Sequence, residues 1–238
     1  MQGAGTQVNP YVIENVADFY SIPSILAARN NPNVRIYFRL ATDLDLTGIN
    51  HTPFDMSNVE FEGMKYTIYG LNRDSSTTDN LALFRTLTNV KIKELVLKFN
   101  TVIGRDGVAL LAVSAVSSQL ERIGVYSCTV RGRNTVGGML AQAVDSNIRE
   151  CFVENTTIEG QQTIGGLIAI VSGQCEITQS YTRATIRQSG SGQIVGGFIG
   201  WLKRSPTVAS SVTFCFADTE ISAQTSTDVR GFIGRISF

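Results

Sequence analysis

Apolar residues in this chain recur in short blocks rather than along helical faces. Five blocks share one pattern: Ile92-Lys-Glu-Leu-Val-Leu97, Leu120-Glu-Arg-Ile-Gly-Val125, Ile148-Arg-Glu-Cys-Phe-Val153, Ile177-Thr-Gln-Ser-Tyr-Thr182 and Val212-Thr-Phe-Cys-Phe-Ala217. Their first residues are 28, 28, 29 and 35 positions apart. A second series runs in phase with the first: Val136-Gly-Gly-Met-Leu-Ala141, Ile164-Gly-Gly-Leu-Ile-Ala169, Val195-Gly-Gly-Phe-Ile-Gly200 and Val229-Arg-Gly-Phe-Ile-Gly234. Weaker copies precede it at Leu81-Ala-Leu-Phe-Arg85 and Val108-Ala-Leu-Leu-Ala112. Ala82 and Ala109 are read as standing at the second glycine position, with Gly138, Gly166, Gly197 and Gly231. A third piece follows each copy of the first block: Thr101-Val102, Thr129-Val130, Thr157-Ile158, Thr185-Ile186 and Glu220-Ile221.

Each repeat therefore holds three short β-rich runs separated by Gly, Asn, Ser or Thr. Such runs are too short and too β-branched for helices. A unit this small cannot bury its apolar face alone and must stack on copies of itself. The period predicts an all-β fold, a parallel β-helix (β-solenoid) of about six coils of roughly 28 residues, with equivalent strands paired about 4.8 Å apart. A propeller blade would need four strands and about 40 residues or more. We read one domain, with residues 1–33 as an N-terminal cap and residues 34–238 as the solenoid. In the cap, Asn15-Val-Ala-Asp18 marks a helix start, and Pro23 to Arg29 a second short helical turn. A cap is expected because an open solenoid end exposes a strand edge.

In the first block, positions one and four are predicted to point inward. Position two reads Lys93, Glu121, Arg149, and position three reads Glu94, Arg122, Glu150. Both columns alternate in sign. Unlike charges directly opposed across paired strands gain roughly 0.2–1 kcal/mol, so the alternation predicts a parallel, in-register stack. Position five carries Phe152, Tyr181 and Phe216 on successive coils, after Val96 and Gly124. Alternation points it outward, as an exposed aromatic column about 10 Å long. Phe152, Tyr181 and Phe216 are the candidate ligand or partner face. The column Thr101, Thr129, Thr157 and Thr185 is explained by hydroxyl ladders within a sheet.

Composition narrows the chemistry. Lys and Arg number 20, as do Asp and Glu, and no block of like charge occurs. This balance argues against a nucleic-acid partner. No apolar run reaches the length of a membrane-spanning helix, and Met1-Gln-Gly-Ala-Gly-Thr lacks the pattern of a signal peptide. The cysteines, Cys128, Cys151, Cys175 and Cys215, form no Cys-x-x-Cys pair. Cys151 and Cys215 share a column but lie two coils apart, beyond disulfide reach, so both are predicted free and buried. The one histidine, His51, is read as a solvated loop residue. The pairs Asp43/Asp45 and Glu121/Glu150 are the candidate carboxylates for glycoside hydrolysis, and structural duty explains both better. No catalytic residue, cofactor or metal site is expected.

The glycine series resembles the GLUG motif of bacterial surface proteins, best at Gly196-Gly-Phe-Ile-Gly200 and less well at Gly165-Gly-Leu-Ile-Ala169. Phe38-Arg-Leu-Ala-Thr-Asp-Leu-Asp-Leu46 and Phe61-Glu-Gly-Met-Lys-Tyr-Thr-Ile-Tyr-Gly-Leu71 are similar to the lead-in of such chains. The resemblance runs from about Tyr11 onward. It departs from the motif where Ala, Arg or Met replaces Gly or Leu. It implies a β-helical, adhesin-like module of secreted or cell-surface proteins, without shared catalytic residues. The expectation is a non-enzymatic module that recognises a surface, glycan or protein ligand through an outer face. The alternatives are a building block that forms homo-oligomers through the solenoid end, and a polysaccharide-active enzyme.

Overall fold

The computed structural model describes residues 1–190, 194–204, 207, 209–224 and 228–237. It is a parallel β-solenoid with three sheets, of sixteen, seven and four strands among the described residues. Ile92, Leu120, Ile148, Ile177 and Val212 pair directly, coil on coil, as one column. The first four are fully buried, and Val212 partly so. The column continues back through Phe61, Phe38 and Tyr11. These eight rungs make about seven turns, and the first paired strand, Tyr11–Ile13, lies inside the segment expected to be cap.

Positions one and four both point inward because position three is left-handed. Glu94, Arg122, Glu150, Gln179 and Phe214 all have φ between 50° and 55°. One such residue turns the strand, so the next inward side chain comes three positions on instead of two. Left-handed backbone costs a non-glycine residue roughly 1–2 kcal/mol, and its repetition shows that the stack imposes it. Asn58, Asn89, Ser117, Asp145 and Gly173 form a second left-handed corner, and Gly70, Phe99, Ser127 and Asn155 a third. The coil through Arg183-Ala184 lacks a counterpart of Asn155, which shifts the register there.

In the later coils a small polar or thiol side chain follows the corner and closes the backbone bonding. The Ser118 N–H donates to Ser146 Oγ at 3.0 Å, the Ser146 N–H to Cys175 Sγ at 3.4 Å, and the Cys175 N–H to Ser210 Oγ at 3.2 Å. At the next corner Leu71 donates to Asn100 Oδ1, Asn100 to Cys128 Sγ, and Cys128 to Thr156 Oγ1. Cys151 donates to Ser180 Oγ at 3.0 Å. The thiols thus do what hydroxyls do one coil away, a role beyond apolar filling. All four cysteines are free, and Cys215 is only half-buried. Burial pushes the Cys128 thiol up to about 11 and Cys151 up to about 12, which keeps both protonated and unreactive.

The glycine pairs are set by close approach. A Cβ on Gly137, Gly165 or Gly196 would lie 1.8 Å from the carbonyl oxygen of Leu140, Ile168 or Ile199. On Gly138, Gly166 or Gly197 it would lie 2.1, 1.9 or 2.0 Å from a glycine carbonyl oxygen of the next coil. The weak copies need a one-residue correction. Val108 bridges Val136 and Ala112 pairs with Leu140, so Ala109 stands beside Gly137, at the first glycine position.

The N-terminal end is covered by one helix, Val16–Ala28, rather than two helical pieces, with Pro23 inside it. Asn15 caps it by accepting the Asp18 N–H at 2.9 Å. The helix drives Phe19 against Phe54 and Phe84, at centroid distances of 5.5 and 6.0 Å. Closure of this helix also overturns the solvated reading of His51, which is fully buried. Its Nε2 lies 2.8 Å from Leu83 O, and its Nδ1 lies 2.7 Å from the Tyr20 hydroxyl. The carbonyl requires a donor at Nε2, so neutral His51 accepts from Tyr20 at Nδ1. Desolvation holds its pKa below the ordinary value, and Arg73 adds to this against the backbone carbonyls of Leu83 and Ala82. A depressed histidine makes the unfolded chain the better proton acceptor. Its stabilising effect is complete above about pH 6.5 and is lost as pH falls further. Thermal melts should therefore drop from pH 7 towards pH 5, with a shallower slope in His51→Gln. An unchanged slope in that variant would contradict the assignment.

Candidate functional site

The outer face of the long sheet is built from the columns beside the position-three corner. Past that corner, Val96, Gly124, Phe152, Tyr181 and Phe216 stand in register. The rings of Phe152 and Tyr181 stack at 5.2 Å and 10°, and those of Tyr181 and Phe216 at 4.9 Å and 0°. Each such pair adds roughly 0.5–1.5 kcal/mol beyond its buried area. The stacking turns ring faces towards one another and ring edges outward, so the column is a ladder and not a row of flat platforms. Phe152 lies over Gly124, where a Cβ would approach the ring to 2.4 Å. Tyr126 packs edge-on against Phe152 at 4.9 Å. Phe152 and Tyr181 are half-buried, while Phe216 remains 49% exposed.

Two positions further on, Lys98, Tyr126, Glu154, Arg183 and Asp218 form the neighbouring outward column. The Tyr181 hydroxyl donates to Glu154 Oε2 at 3.0 Å. Arg183 bridges Glu154 and Asp218 at 3.5 and 3.1 Å. Burial, with the hydrogen bond and charge of Glu154, pushes Tyr181 up to about 12, so it remains a donor. On this face rings and charges form one connected, pre-organised strip.

Before the corner, the alternating charges become a chain of ion pairs. Arg122 reaches Glu94 at 3.2 Å and Glu150 at 3.7 Å, and also pairs with Glu121. Arg149 reaches Glu121 at 3.0 Å and Glu150 at 3.2 Å. Partial burial works against ionisation of Glu121, but Arg122 and Arg149 outweigh it and lower its pKa. A general acid for glycoside cleavage needs the opposite shift. Asp43 accepts the Thr67 N–H at 2.7 Å and Asp45 the Thr47 N–H at 2.9 Å. Both carboxylate pairs thus have structural partners. Among the described residues no group of His, Cys, Asp and Glu could hold a metal ion.

Two features of the surface were missed by the sequence reading. One is a hollow of about 470 Å³ lined by Gln119, Leu120, Glu121, Asn147, Arg149, Glu176 and Thr178. A second hollow of about 600 Å³ shares Asn147 and Glu176 with it. The signal was present one residue ahead of each block, where Gln119, Asn147, Glu176 and Ser211 stack. The other is Trp201, on the outer face of the seven-stranded sheet, with Lys203 at 4.3 Å and Arg235 at 5.6 Å from its ring. Its Nε1–H donates to Ser237 Oγ at 2.8 Å, so its ring is already partnered within the chain.

No helix of the described residues is long and apolar enough to cross a membrane. No family model matches the sequence, and no curated protein matches it. Among solved structures, the chain is similar to a candidate immunoglobulin A1 protease from Bacteroides ovatus, with a TM-score of 0.67 and 14% identity over 99% of this chain and 86% of that one. It is also similar to a chain named IgA1 protease, with a TM-score of 0.47 and 14% identity over 94% of this chain and 20% of that one. The second likeness is too loose to argue from. The first shows the shared β-solenoid fold, and the GLUG motif as such gains no support. The expectation of a non-enzymatic module is corrected by the same finding. This architecture occurs in a chain named as a protease, and non-enzymatic character is not carried forward.

Proposed function

We propose that the chain is a recognition module, a rigid solenoid that grips an extended ligand along the outer face of its long sheet. The observation that carries this reading is the connected strip on that face. A ladder of rings runs up to the exposed Phe216 beside the bonded series Tyr181, Glu154, Arg183 and Asp218. Aromatic and arginine side chains held before the partner arrives are what binding hot spots concentrate. A solenoid repeats each side-chain position at strand spacing, so it matches a partner that lies along its axis. The resemblance of the glycine series to surface proteins supports a secreted or cell-surface setting, and gripping of this kind serves enzymes and adhesins alike.

Phe216→Ser tests the ladder. It removes one stacked pair of roughly 0.5–1.5 kcal/mol, so the melting temperature should fall by only about 1–6 °C. Binding to a panel of extended glycans and polypeptides, read by biolayer interferometry, should weaken about tenfold. No binding of the wild-type chain to any extended polymer would overturn the reading.

A further inference from the structure

We infer that the hollow over Gln119, Asn147 and Glu176 is a binding site for a neutral, hydroxyl-rich glycan. This deepens the reading of the outer face as a ligand surface and rests on it. The hollow spans three coils, with Gln119, Asn147 and Glu176 in direct register and Arg149 and Thr178 in the column beside them. Gln119, Asn147 and Glu176 are exposed. None of Gln119, Asn147, Glu176 and Thr178 engages its side chain with another described residue. Outward charges elsewhere on the coil behave differently. Arg105 is paired with Asp79, Arg133 with Asp106, and Arg131 and Arg187 with Glu159. In the hollow, Glu121 and Arg149 are paired with each other and their neighbours, while the side chains of Gln119, Asn147, Glu176 and Thr178 stand ready without a hydrogen-bond or ion-pair partner among the described residues.

The chemistry of these groups selects the ligand. A sugar hydroxyl both donates and accepts, and the carboxamides of Gln119 and Asn147 each offer a donor and an acceptor on one plane. Glu176 accepts at two oxygens, and Arg149, anchored through Nη2 by Glu121 and Glu150, presents its remaining N–H donors. The floor offers little apolar surface, since Leu120 is 1% exposed. Lipid tails and the apolar anchors of a protein partner therefore have nothing to bury against. Charge excludes polyanions. Glu121, Glu176 and, in the adjoining hollow, Asp145 face one guanidinium, Arg149. Spacing separates a glycan from a polypeptide. Equivalent side chains recur about every 4.8 Å along the axis, whereas an extended polypeptide advances only about 3.3 Å per residue. One pyranose unit of a straight glycan is close to the coil spacing, so successive sugars can meet successive coils.

The test uses the full chain against an immobilised neutral β-glucan, a neutral mannan, a sulfated glycan and an extended polypeptide. Binding is expected to a neutral glycan and not to the sulfated one. The double variant Asn147→Ala/Glu176→Ala should keep its melting temperature, since both side chains are exposed, and should lose roughly tenfold or more in affinity. Undiminished glycan binding by the folded double variant would overturn the inference. A preference for the sulfated glycan, or binding to the polypeptide alone, would overturn it equally while leaving the outer-face reading intact. Failure of the wild-type chain to bind any of the four would overturn both.

Discussion

Replacing Gly166 with alanine is expected to unfold the chain or lower its melting temperature by roughly 10 °C or more, whereas the same change at Gly231 should be nearly silent. The two glycines occupy equivalent positions in the repeat. Neither has the left-handed backbone that would penalise alanine. The difference is space. A Cβ on Gly166 would lie 1.9 Å from the carbonyl oxygen of Gly197, with Thr182 Cγ2 at 3.2 Å, while no described residue comes within 4 Å of one on Gly231. A contact under 2 Å with backbone can be relieved only by moving two coils apart, which breaks ladder hydrogen bonds on both sides. Losses above about 4 kcal/mol are exceptional for one substitution and arise from overpacking of this kind. At about 2–4 °C per kcal/mol for a chain of this size, calorimetry separates the two variants easily. At Gly231 the loss of chain entropy in the unfolded state should even favour alanine by about 0.4–1 kcal/mol. Equal behaviour of the two variants would disprove the close approach of the coils at the glycine corner.

The second large effect is expected at Asn100. Its side chain is 2% exposed, accepts the Leu71 N–H at 2.9 Å and donates to Ile68 O at 3.0 Å. Leucine has almost the same shape but neither function, so Asn100→Leu strands the buried Leu71 N–H, while the Ile68 carbonyl keeps its ladder bond. One unsatisfied buried group costs about 1–3 kcal/mol, to be read from urea melts as a lower midpoint at unchanged slope. Cys128→Ser, one coil on in the same column, keeps an acceptor for the Asn100 N–H and should change stability little. A neutral Asn100→Leu would mean that the corner side chains fill space and do not close the backbone bonding.

The parallel stack was legible because two series keep one period and because Lys93, Glu121 and Arg149 alternate in sign. Those signals depend on side-chain type, which a sequence states directly. The corners were not legible in the same way. Glu94, Arg122 and Phe214 are poor left-handed residues, and nothing in their identity announces a positive φ. The only trace is the three-residue spacing of inward positions, such as Ile92 and Leu95. The environment of His51 depends on where the N-terminal helix lands, a contact with Tyr20 across 31 positions. For the candidate site, the outward register of Phe152, Tyr181 and Phe216 followed from alternation, but ring orientation is a matter of side-chain rotation. That is why edges, rather than faces, look outward. The hollow escaped notice because Gln119, Asn147 and Glu176 sit just ahead of the apolar blocks, where the repeat varies most in residue type.

The alternation of charge has a further consequence during folding. Near-identical coils invite an error in which a strand pairs with the coil after next and loops out the one between. Apolar columns discriminate poorly against this, since Ile92 would meet Ile148 instead of Leu120. The charged columns do discriminate. Skipping one coil would set Lys93 on Arg149 and Glu94 on Glu150, giving up the Arg122 pairs with Glu94 and Glu150 and the Arg149–Glu121 pair for two repulsions. Multi-coil chains are prone to such trapped misassembly, and a two-coil period of sign within a one-coil period of shape lets the chain tell adjacent coils from alternate ones.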